Sequence, residues 1–357
     1  MNTRTNRRNF LTSMGLTAAA AVTGIGGITA AANPSIHKGK LPKGINKRDA
    51  VLRMLDPTIR QEYIPAGFFI HFDQNSKWGQ AAINKHLEFF HKTDMDIVKI
   101  QYENIFPVLN EIKKPTDWKK MPLYEKDFYA KQLEVVEGLV KEMRNEAIVI
   151  VTLYSPFMCA GHTTSDDMIT EHLKQDPESV NAGMEIITES LTIFARECIK
   201  LGADGFLACT QGAESHRFGN QDVFNKYIKP YDLALFNEVH DYCNFNILHI
   251  CDYWGDYNDL AAFSDYPGHV VNCSQKLGSQ IIETEKFFEM FDRPFMGGIN
   301  KRGIIVDGSQ QEIEAKVKEV LDNAPGKFML GASCTLPGDI KWENIRTAID
   351  MAHNYKA

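Results

Sequence analysis

Four features that mark other classes of protein are absent from this 357-residue sequence. No run of eighteen apolar residues occurs, so the sequence predicts no transmembrane helix. No stripe of basic residues accompanies the net charge of −7, which argues against a nucleic-acid-binding surface. No Cys-x-x-Cys pair occurs, so a closed structural zinc site is not indicated. No long Gly/Ser-rich or Pro-rich linker follows residue 60, so no domain boundary is predicted there.

The first 32 residues have the pattern of a targeting segment. Adjacent arginines precede Phe and Leu in "NRRNFLTSMG" (residues 6–15), and a moderately apolar Ala/Gly/Thr stretch follows. Ala30 and Ala32 then form an A-x-A cleavage signal before Asn33. This resembles a twin-arginine export peptide, which implies export of the folded protein and a periplasmic location.

The cysteines do not form a recognisable disulfide framework. The chain contains seven, an odd number, so at least one thiol is free, bound to a metal or paired outside the chain. A chain of this length can also bury a core without disulfides. The seven are Cys159, Cys198, Cys209, Cys243, Cys251, Cys273 and Cys334.

Short apolar runs alternate with helical patterns throughout residues 61–357. Eight runs have the branched and alternating character of buried strands: 67–72, 96–101, 147–154, 204–210, 246–251, 269–274, 294–299 and 327–333. Helical patterns lie between them, for example at 129–146 and 309–324. The sequence therefore predicts an α/β fold, a single-domain (β/α)₈ TIM barrel, with a doubly wound sheet as the alternative. Residues 33–60 are interpreted as a linker and a first helix that covers the bottom of the barrel.

Polar residues lie at the carboxyl ends of the predicted strands, where active sites of such barrels are found. These are candidates for substrate contact or catalysis: His71, Asp73, Tyr102, Glu103, Tyr154, Gln211 and Asn300. Gly297 and Gly298, in the stretch "GGIN", would permit the backbone to approach a ligand closely. Cys273 is interpreted as a small buried residue.

His249 and Cys251 are the most specific pair in the chain. Alternate residues of a strand point to the same side, so both are expected to face the barrel mouth while Leu248 and Ile250 pack outward. Cys334 follows the last predicted strand at the same rim. One histidine and two cysteines suit Zn²⁺, and a site with three protein ligands leaves one position open, as catalytic zinc sites do.

Three stretches of the C-terminal half resemble one known family. They are "ILHICD" (247–252), "PFMGGINKRGIIVDGSQQEIEAKVKEVL" (294–321) and "FMLGASCTLPGDIKWENI" (328–345). They are similar to the uroporphyrinogen decarboxylase superfamily, and most of all to its branch of zinc-dependent methylcobamide:thiol methyltransferases. In that branch an H-x-C motif is followed far downstream by a cysteine, and these three positions correspond to His249, Cys251 and Cys334. The resemblance extends over roughly residues 50–355.

The resemblance implies a methyl or alkyl transfer between a thiol and a corrinoid. Zinc would hold the thiol as its nucleophilic thiolate, and the methyl group would be carried on a corrinoid cobalt. The expected partners are a small thiol, a corrinoid or tetrapyrrole ligand, and a corrinoid carrier protein. The second ring nitrogen of His249 would need a hydrogen-bond acceptor, for which Asp252 and Glu103 are the candidates.

Two alternative functions remain open. One is decarboxylation of a tetrapyrrole, the reaction of the superfamily's other branch. That branch carries an arginine after the first strand, whereas "GFFIHFDQNSKWG" (67–79) has none and contains Asp73. It also has a histidine where this chain has Cys334. The other alternative is an exported barrel that binds a corrinoid or tetrapyrrole without turnover.

Overall fold

Eight parallel strands form a nearly closed barrel in the computed structural model, which describes residues 41–355. The strands follow the order β1-β10-β9-β6-β5-β4-β3-β2 around the barrel, and a separate hairpin is formed by β7 and β8. The (β/α)₈ TIM barrel expected from the sequence is thereby confirmed, and the doubly wound alternative is wrong. The leader predicted at residues 1–32, and the first part of the linker predicted at 33–60, lie outside the described residues.

All eight predicted strands are present. The ten strands of residues 41–355 are β1 Ala66–Gly67, β2 Ile97–Ile100, β3 Ile148–Tyr154, β4 Gly205–Thr210, β5 Ile247–Ile250, β6 Val270–Cys273, β7 Lys276–Leu277, β8 Gln280–Ile281, β9 Phe295–Ile299 and β10 Phe328–Ala332. β1 is shorter than the predicted run at 67–72, because it forms a ladder only with β10. After Gly67 the chain leaves this ladder, and it pairs again through a single bridge between Ile70 and Leu336.

Helices surround the strands. The α-helices are α1 Lys47–Leu55, α2 Gly79–Thr93, α3 Ala130–Met143, α4 Pro156–Thr163, α5 Asp166–Gln175, α6 Pro177–Leu201, α7 Lys229–Tyr242, α8 Thr284–Phe291, α9 Ile304–Asp307, α10 Gln310–Asp322 and α11 Trp342–Asn354. Helix α10 begins with a reciprocal capping box between Ser309 and Glu312. Within residues 41–355, none of the helices combines the length and apolarity that a membrane crossing requires.

The strands have two apolar faces because both sides of the barrel wall are buried. On β3, Ile148 and Ile150 point into the barrel, and Val149 and Val151 point out against the helices. The inward residues form a core that fills the amino-terminal half of the barrel, and the outward residues form the larger core beneath the helices. On the described strands, the polar side chains of the inward face, such as Lys99 and Asn272, lie in the carboxyl-terminal half.

Helix α1 lies beneath the barrel. Its Val51 and Met54 pack into the interior core, and Arg48 forms a two-point ion pair with Asp204, the residue before β4. The first helix thus covers the amino-terminal end, and the opposite end is left for a binding site.

Asp232 is a carboxyl group buried between α7 and the barrel wall. Its Oδ2 accepts hydrogen bonds from Thr210 Oγ1 at 2.6 Å and Tyr266 Oη at 3.1 Å, and its Oδ1 has no hydrogen-bond partner among the described residues. Burial raises the pKa of Asp232 to about 7. The folded protein therefore keeps this proton at a pH where the unfolded chain has released it.

This raised pKa makes the folding free energy depend on pH. The stabilisation that protonated Asp232 contributes to the folded protein is complete below the pKa of the unfolded chain, near 3.8. It is lost as the pH rises through the folded-state pKa of about 7. Replacement by asparagine is expected to remove this loss, which is on the order of a few kcal/mol. Urea unfolding of both proteins at pH 5 and pH 8 measures it, and an equal pH dependence in the two would contradict the assignment.

Candidate active site

A cavity of about 540 Å³ opens at the carboxyl ends of the strands. Residues from β2, β3, β4 and β5 and from the segment after β10 line it, and Tyr253 and Trp254 lie at its edge. Its volume is typical of a small-molecule site. It occupies the end of the barrel at which TIM-barrel enzymes carry out their chemistry.

His249, Cys251 and Cys334 converge on one wall of this cavity. Alternation along β5 turns His249 and Cys251 inward, and Leu248 and Ile250 pack into the outer core as expected. Cys334 Sγ lies 3.4 Å from His249 Nε2 and 4.0 Å from Cys251 Sγ. The three candidate ligand atoms all lie within 4.8 Å of one another, and all three residues are buried.

The two distances from Cys334 Sγ are close to those expected around a tetrahedral zinc ion. Zinc–sulfur bonds of about 2.3 Å and zinc–nitrogen bonds of about 2.0 Å place two sulfurs about 3.8 Å apart, and nitrogen and sulfur about 3.5 Å apart. The observed 4.0 Å and 3.4 Å are close to both values. Two soft sulfur donors and one imidazole are a donor set that zinc prefers over magnesium or calcium.

Asn272 fixes the tautomer of His249. Asn272 Nδ2 donates to Met296 O and to Ala332 O, each at 2.9 Å, so the amide oxygen must be the atom that faces the imidazole. That oxygen lies 2.6 Å from His249 Nδ1, and it can only accept. A proton is therefore on Nδ1, and Nε2 is the ring nitrogen that faces the two thiols.

The predicted acceptors for His249 were wrong. Asp252 pairs with Lys301, and Glu103 pairs with Lys77 at 2.9 Å. Asn272 takes their place because it lies on β6, next to β5, with its side chain directly opposite His249 in the strand register.

The two thiols differ in acidity. A hydrogen bond from the Cys251 thiol lowers the pKa of Cys334 well below its usual range, and the nearby His249 and Lys301 act in the same direction against the effect of burial. The pKa of Cys251 is raised by the same contact. Gln211 Nε2 also donates to Cys251 Sγ at 3.5 Å, so a donor is available to a thiolate at either position.

Three of the seven candidate substrate residues line the cavity: His71, Tyr154 and Gln211. Tyr154 Oη accepts a hydrogen bond of 3.3 Å from Gln101 Nε2. Desolvation at the cavity wall lowers the pKa of His71 to about 4, and the positive charge of Lys99 contributes to this, although the residue is exposed to solvent. His71 is therefore neutral near pH 7.

The other four candidates do not line the cavity. Asp73 caps a single helical turn by accepting from the Asn75 amide at 2.9 Å. Tyr102 points outward against Phe194, and Glu103 is held by Lys77. Asn300 is exposed and accepts a hydrogen bond from the backbone of Arg302, its neighbour in the same loop.

Gly297 and Gly298 also lie away from the cavity, and packing explains them. Gly298 has a φ of +92°, and a Cβ atom there would lie 2.2 Å from Val320 Cγ1 of α10. A Cβ on Gly297 would lie 2.7 Å from the Phe295 ring. Gly298 thus lets α10 pack closely on β9, and Gly297 leaves room for the Phe295 ring.

Three polar residues of the site were missed by the sequence analysis: Lys99 and Gln101, which line the cavity, and Asn272, which contacts His249 behind it. Each is a polar residue at an inward position of an otherwise apolar strand or at its end, two residues from another inward side chain. The sequence signal for these residues was a polar residue within a buried strand. A buried polar group without a hydrogen-bond partner is unfavourable, so its presence implies that a partner exists. The candidates above were chosen at the strand ends, so residues within the strands were not among them.

Comparison with known proteins agrees with the fold and identifies the family. The uroporphyrinogen decarboxylase (URO-D) family model matches residues 95–355. A uroporphyrinogen decarboxylase of Aquifex aeolicus is 24% identical over 267 residues, which cover 72% of this chain and 74% of that protein.

Two relatives from Methanosarcina mazei are methyltransferases. A methylcobamide:CoM methyltransferase is 21% identical over 63% of each chain. A methylated-thiol–coenzyme M methyltransferase is 21% identical over 61% of this chain and 57% of its own length. The matched regions thus span less than two thirds of either methyltransferase.

Solved structures share the barrel. A methyltransferase from Methanosarcina mazei superposes with a TM-score of 0.65 at 15% identity, over 86% of this chain and 98% of that one. A putative vitamin-B12 independent methionine synthase from Listeria monocytogenes superposes with a TM-score of 0.52 at 10% identity, over 82% of this chain and 96% of that one. At these identities the likeness concerns the fold alone. The family model, which covers most of the barrel, shows more: this chain belongs to the uroporphyrinogen decarboxylase family.

Proposed function

We propose that this protein is a zinc-dependent transferase that moves a methyl or other alkyl group between a thiol and a corrinoid. The observation that carries the proposal is the cluster of His249, Cys251 and Cys334, with one imidazole nitrogen and two sulfurs within 4.8 Å of one another. The two methyltransferase relatives from Methanosarcina mazei support the reaction class.

The three residues would hold Zn²⁺ and leave one coordination position toward the cavity. When bound there, zinc lowers the pKa of a thiol substrate and keeps it as a nucleophilic thiolate at neutral pH. Asn272 holds the His249 ring so that Nε2 carries no proton. Gln211 directs an N–H at Cys251 Sγ and so balances part of the negative charge of the sulfur ligands.

The cavity would position the two substrates. Its volume of about 540 Å³ suits a small thiol, and the exposed aromatic side chains of Tyr253 and Trp254 form a rim where a larger methyl donor can dock. The transfer forms a carbon–sulfur bond and breaks a carbon–cobalt bond, with the electron pair remaining on cobalt and the thiol proton released to solvent.

A methyl-transfer assay tests the proposal. Purified protein is mixed with methylcobalamin and a small thiol, and the thioether is quantified. Turnover is expected, with complete loss after dialysis against a chelator and recovery on addition of Zn²⁺ but not Mg²⁺, since the sulfur ligands select against a hard ion. The same assay without protein gives the background rate.

Two results would contradict the transferase. One is binding of methylcobalamin with no thioether above background for any of several small thiols, which would favour a non-catalytic binding protein. The other is release of CO₂ from a carboxylated tetrapyrrole at a rate that chelation does not change, which would favour a decarboxylase.

A further inference from the structure

A second cavity lies in the helical layer, on the outer side of β9. It has a volume of about 190 Å³ and is bounded by β9, α9, α10 and the loop that joins β9 to α9. Its apolar wall consists of Ile299, Ile304, Ile305, Ile313 and Val317. None of the candidate zinc ligands lines it, so an inference about this cavity does not depend on the proposed function.

Hydrogen bonds hold this second cavity open. α9 is a single helical turn, and Asn344 of α11 donates through Nδ2 to Ile305 O at 3.0 Å and to Val306 O at 3.3 Å. Asn344 is held in turn by Gln310 Nε2 of α10, which donates to its Oδ1 at 3.0 Å. α9 therefore cannot move into the empty space without breaking these bonds. A cavity held in this way is formed before its ligand arrives, as most small-molecule sites are.

Two cations and an amide lie at the mouth of the second cavity. Arg302 and Asn300 line it and are exposed, and Lys316 lines it and is half-buried. Lys316 pairs with Glu319 at 2.8 Å, whereas no carboxylate of residues 41–355 forms an ion pair with Arg302. Asn300 Oδ1 accepts from the Arg302 backbone N–H at 3.0 Å, which leaves Nδ2 as a donor. The lining thus offers positive charge and N–H donors, and it contains no acidic residue.

The volume and the lining together specify a class of ligand. A cavity of about 150 Å³ in an apolar protein interior holds a benzene ring, so 190 Å³ leaves room for one ring and a small polar group. A ring in the cavity would cover Ile304, whose side chain is 44% exposed. A carboxylate on that ring would meet the Arg302 guanidinium, which binds carboxylates through two parallel N–H donors.

We propose that the second cavity is a binding site for a small carboxylate with an apolar body the size of a benzene ring. The apolar body would lie against the isoleucines, and the carboxylate would lie at the mouth between Arg302 and Lys316. Such a ligand is chemically distinct from the thiol and corrinoid of the proposed transfer, and its site is separate from theirs.

Isoleucine methyl groups can locate the ligand. Four isoleucines line the second cavity and none lines the larger cavity at the strand ends, so protein labelled with ¹³C at the isoleucine δ1 methyls reports binding here. Benzoate is the probe, and benzamide is its uncharged match. Benzoate is expected to shift all four methyl signals in a saturable manner, because the ring current of the bound probe acts on methyls in contact with it.

The charge of the probe tests the cations. Benzoate should bind about fivefold more tightly than benzamide, as expected for a partly exposed ion pair, and added salt should weaken the binding of benzoate alone. Arg302→Gln should remove this preference. Arg144→Gln is the matched control, since Arg144 is exposed on the far side of α3 from these residues in the chain and its loss changes the net charge equally. Because Arg302 also lines the larger cavity, Lys316→Gln is measured beside it and should reduce the preference.

A substitution at the mouth tests the position of the site. Ile304→Glu places a carboxylate beside the proposed one and should weaken benzoate at least tenfold, measured on the three isoleucine signals that remain. Ile281→Glu makes the same change at a side chain that is 72% exposed on β8, and it should leave the affinity unchanged. Circular dichroism confirms that each variant is folded.

Three results would overturn the proposal. The first is millimolar benzoate that shifts none of the four methyl signals. The second is equal affinity for benzoate and benzamide in the unsubstituted protein, which would reduce the site to an apolar gap. The third is methyl shifts that depend on protein concentration without any probe, which would show that a second copy of the chain covers the cavity.

Discussion

Replacing Cys334 with serine is expected to abolish thiol methylation while the fold is retained. Cys334 contacts both other members of the cluster, at 3.4 Å and 4.0 Å, so its loss leaves two ligands and a weak hydroxyl donor. Loss of a residue that only hydrogen-bonds a metal ligand lowers metal affinity by roughly 10–100-fold. Loss of Cys334, a candidate ligand itself, should lower the zinc affinity by more than that. Turnover measured at limiting zinc should fall at least as much.

Cys209→Ala provides the matched control for this substitution. Cys209 is also a buried thiol that lines the cavity, and it lies opposite His249 in the register of β4 and β5, but it is not part of the three-residue cluster. The alanine variant should keep its zinc and its methylation rate. Equal loss of activity in both variants would mean that cavity packing, and not metal ligation, was disturbed.

Replacing Asn272 with leucine is expected to lower the zinc affinity by about 10–100-fold. The leucine removes the acceptor 2.6 Å from His249 Nδ1, so the imidazole loses both its fixed orientation and its fixed tautomer. It also leaves two backbone carbonyls, of Met296 and Ala332, without their donor. Competition with a zinc indicator measures the affinity, and chemical unfolding measures the separate loss of stability.

Two variants separate positioning of His249 from stability. Asn272→Asp keeps an acceptor for His249 but loses the amide donors, so zinc affinity should stay near that of the unsubstituted protein although stability falls. Asn344→Leu removes a buried asparagine that likewise donates to two carbonyls, at 3.0 Å and 3.3 Å, between α11 and α9. It should lose stability without losing zinc. Unchanged zinc affinity in Asn272→Leu would contradict the role of Asn272.

The order of strands and the inward face of β5 could be predicted from the sequence. His249 and Cys251 are two residues apart on a strand, and period-two alternation fixes their common side. Cys334 lies 83 residues beyond Cys251 in the chain. It reaches them only because the barrel brings the end of β10 near the end of β5, so its identification depended on the predicted barrel, and the family resemblance supported it.

Predictions made from the strand ends were less reliable, for a geometric reason. The end of a strand fixes which edge of the sheet a residue approaches, but not the direction of its side chain once the ladder stops. Asp73 and Asn300 lie in loops whose local hydrogen bonds take up their side chains. Tyr102 points outward by the same alternation that turns Lys99 inward, so its position could have been predicted by continuing the period along β2.

Metal analysis of the purified protein tests the central claim most directly. Protein is purified without chelator, alongside the His249→Ala variant, and zinc is quantified per chain by plasma emission spectrometry. The account predicts about one zinc per chain, lost in the variant while its circular dichroism spectrum is unchanged. Folded protein that holds no zinc, and that takes up none when zinc is supplied, would contradict it.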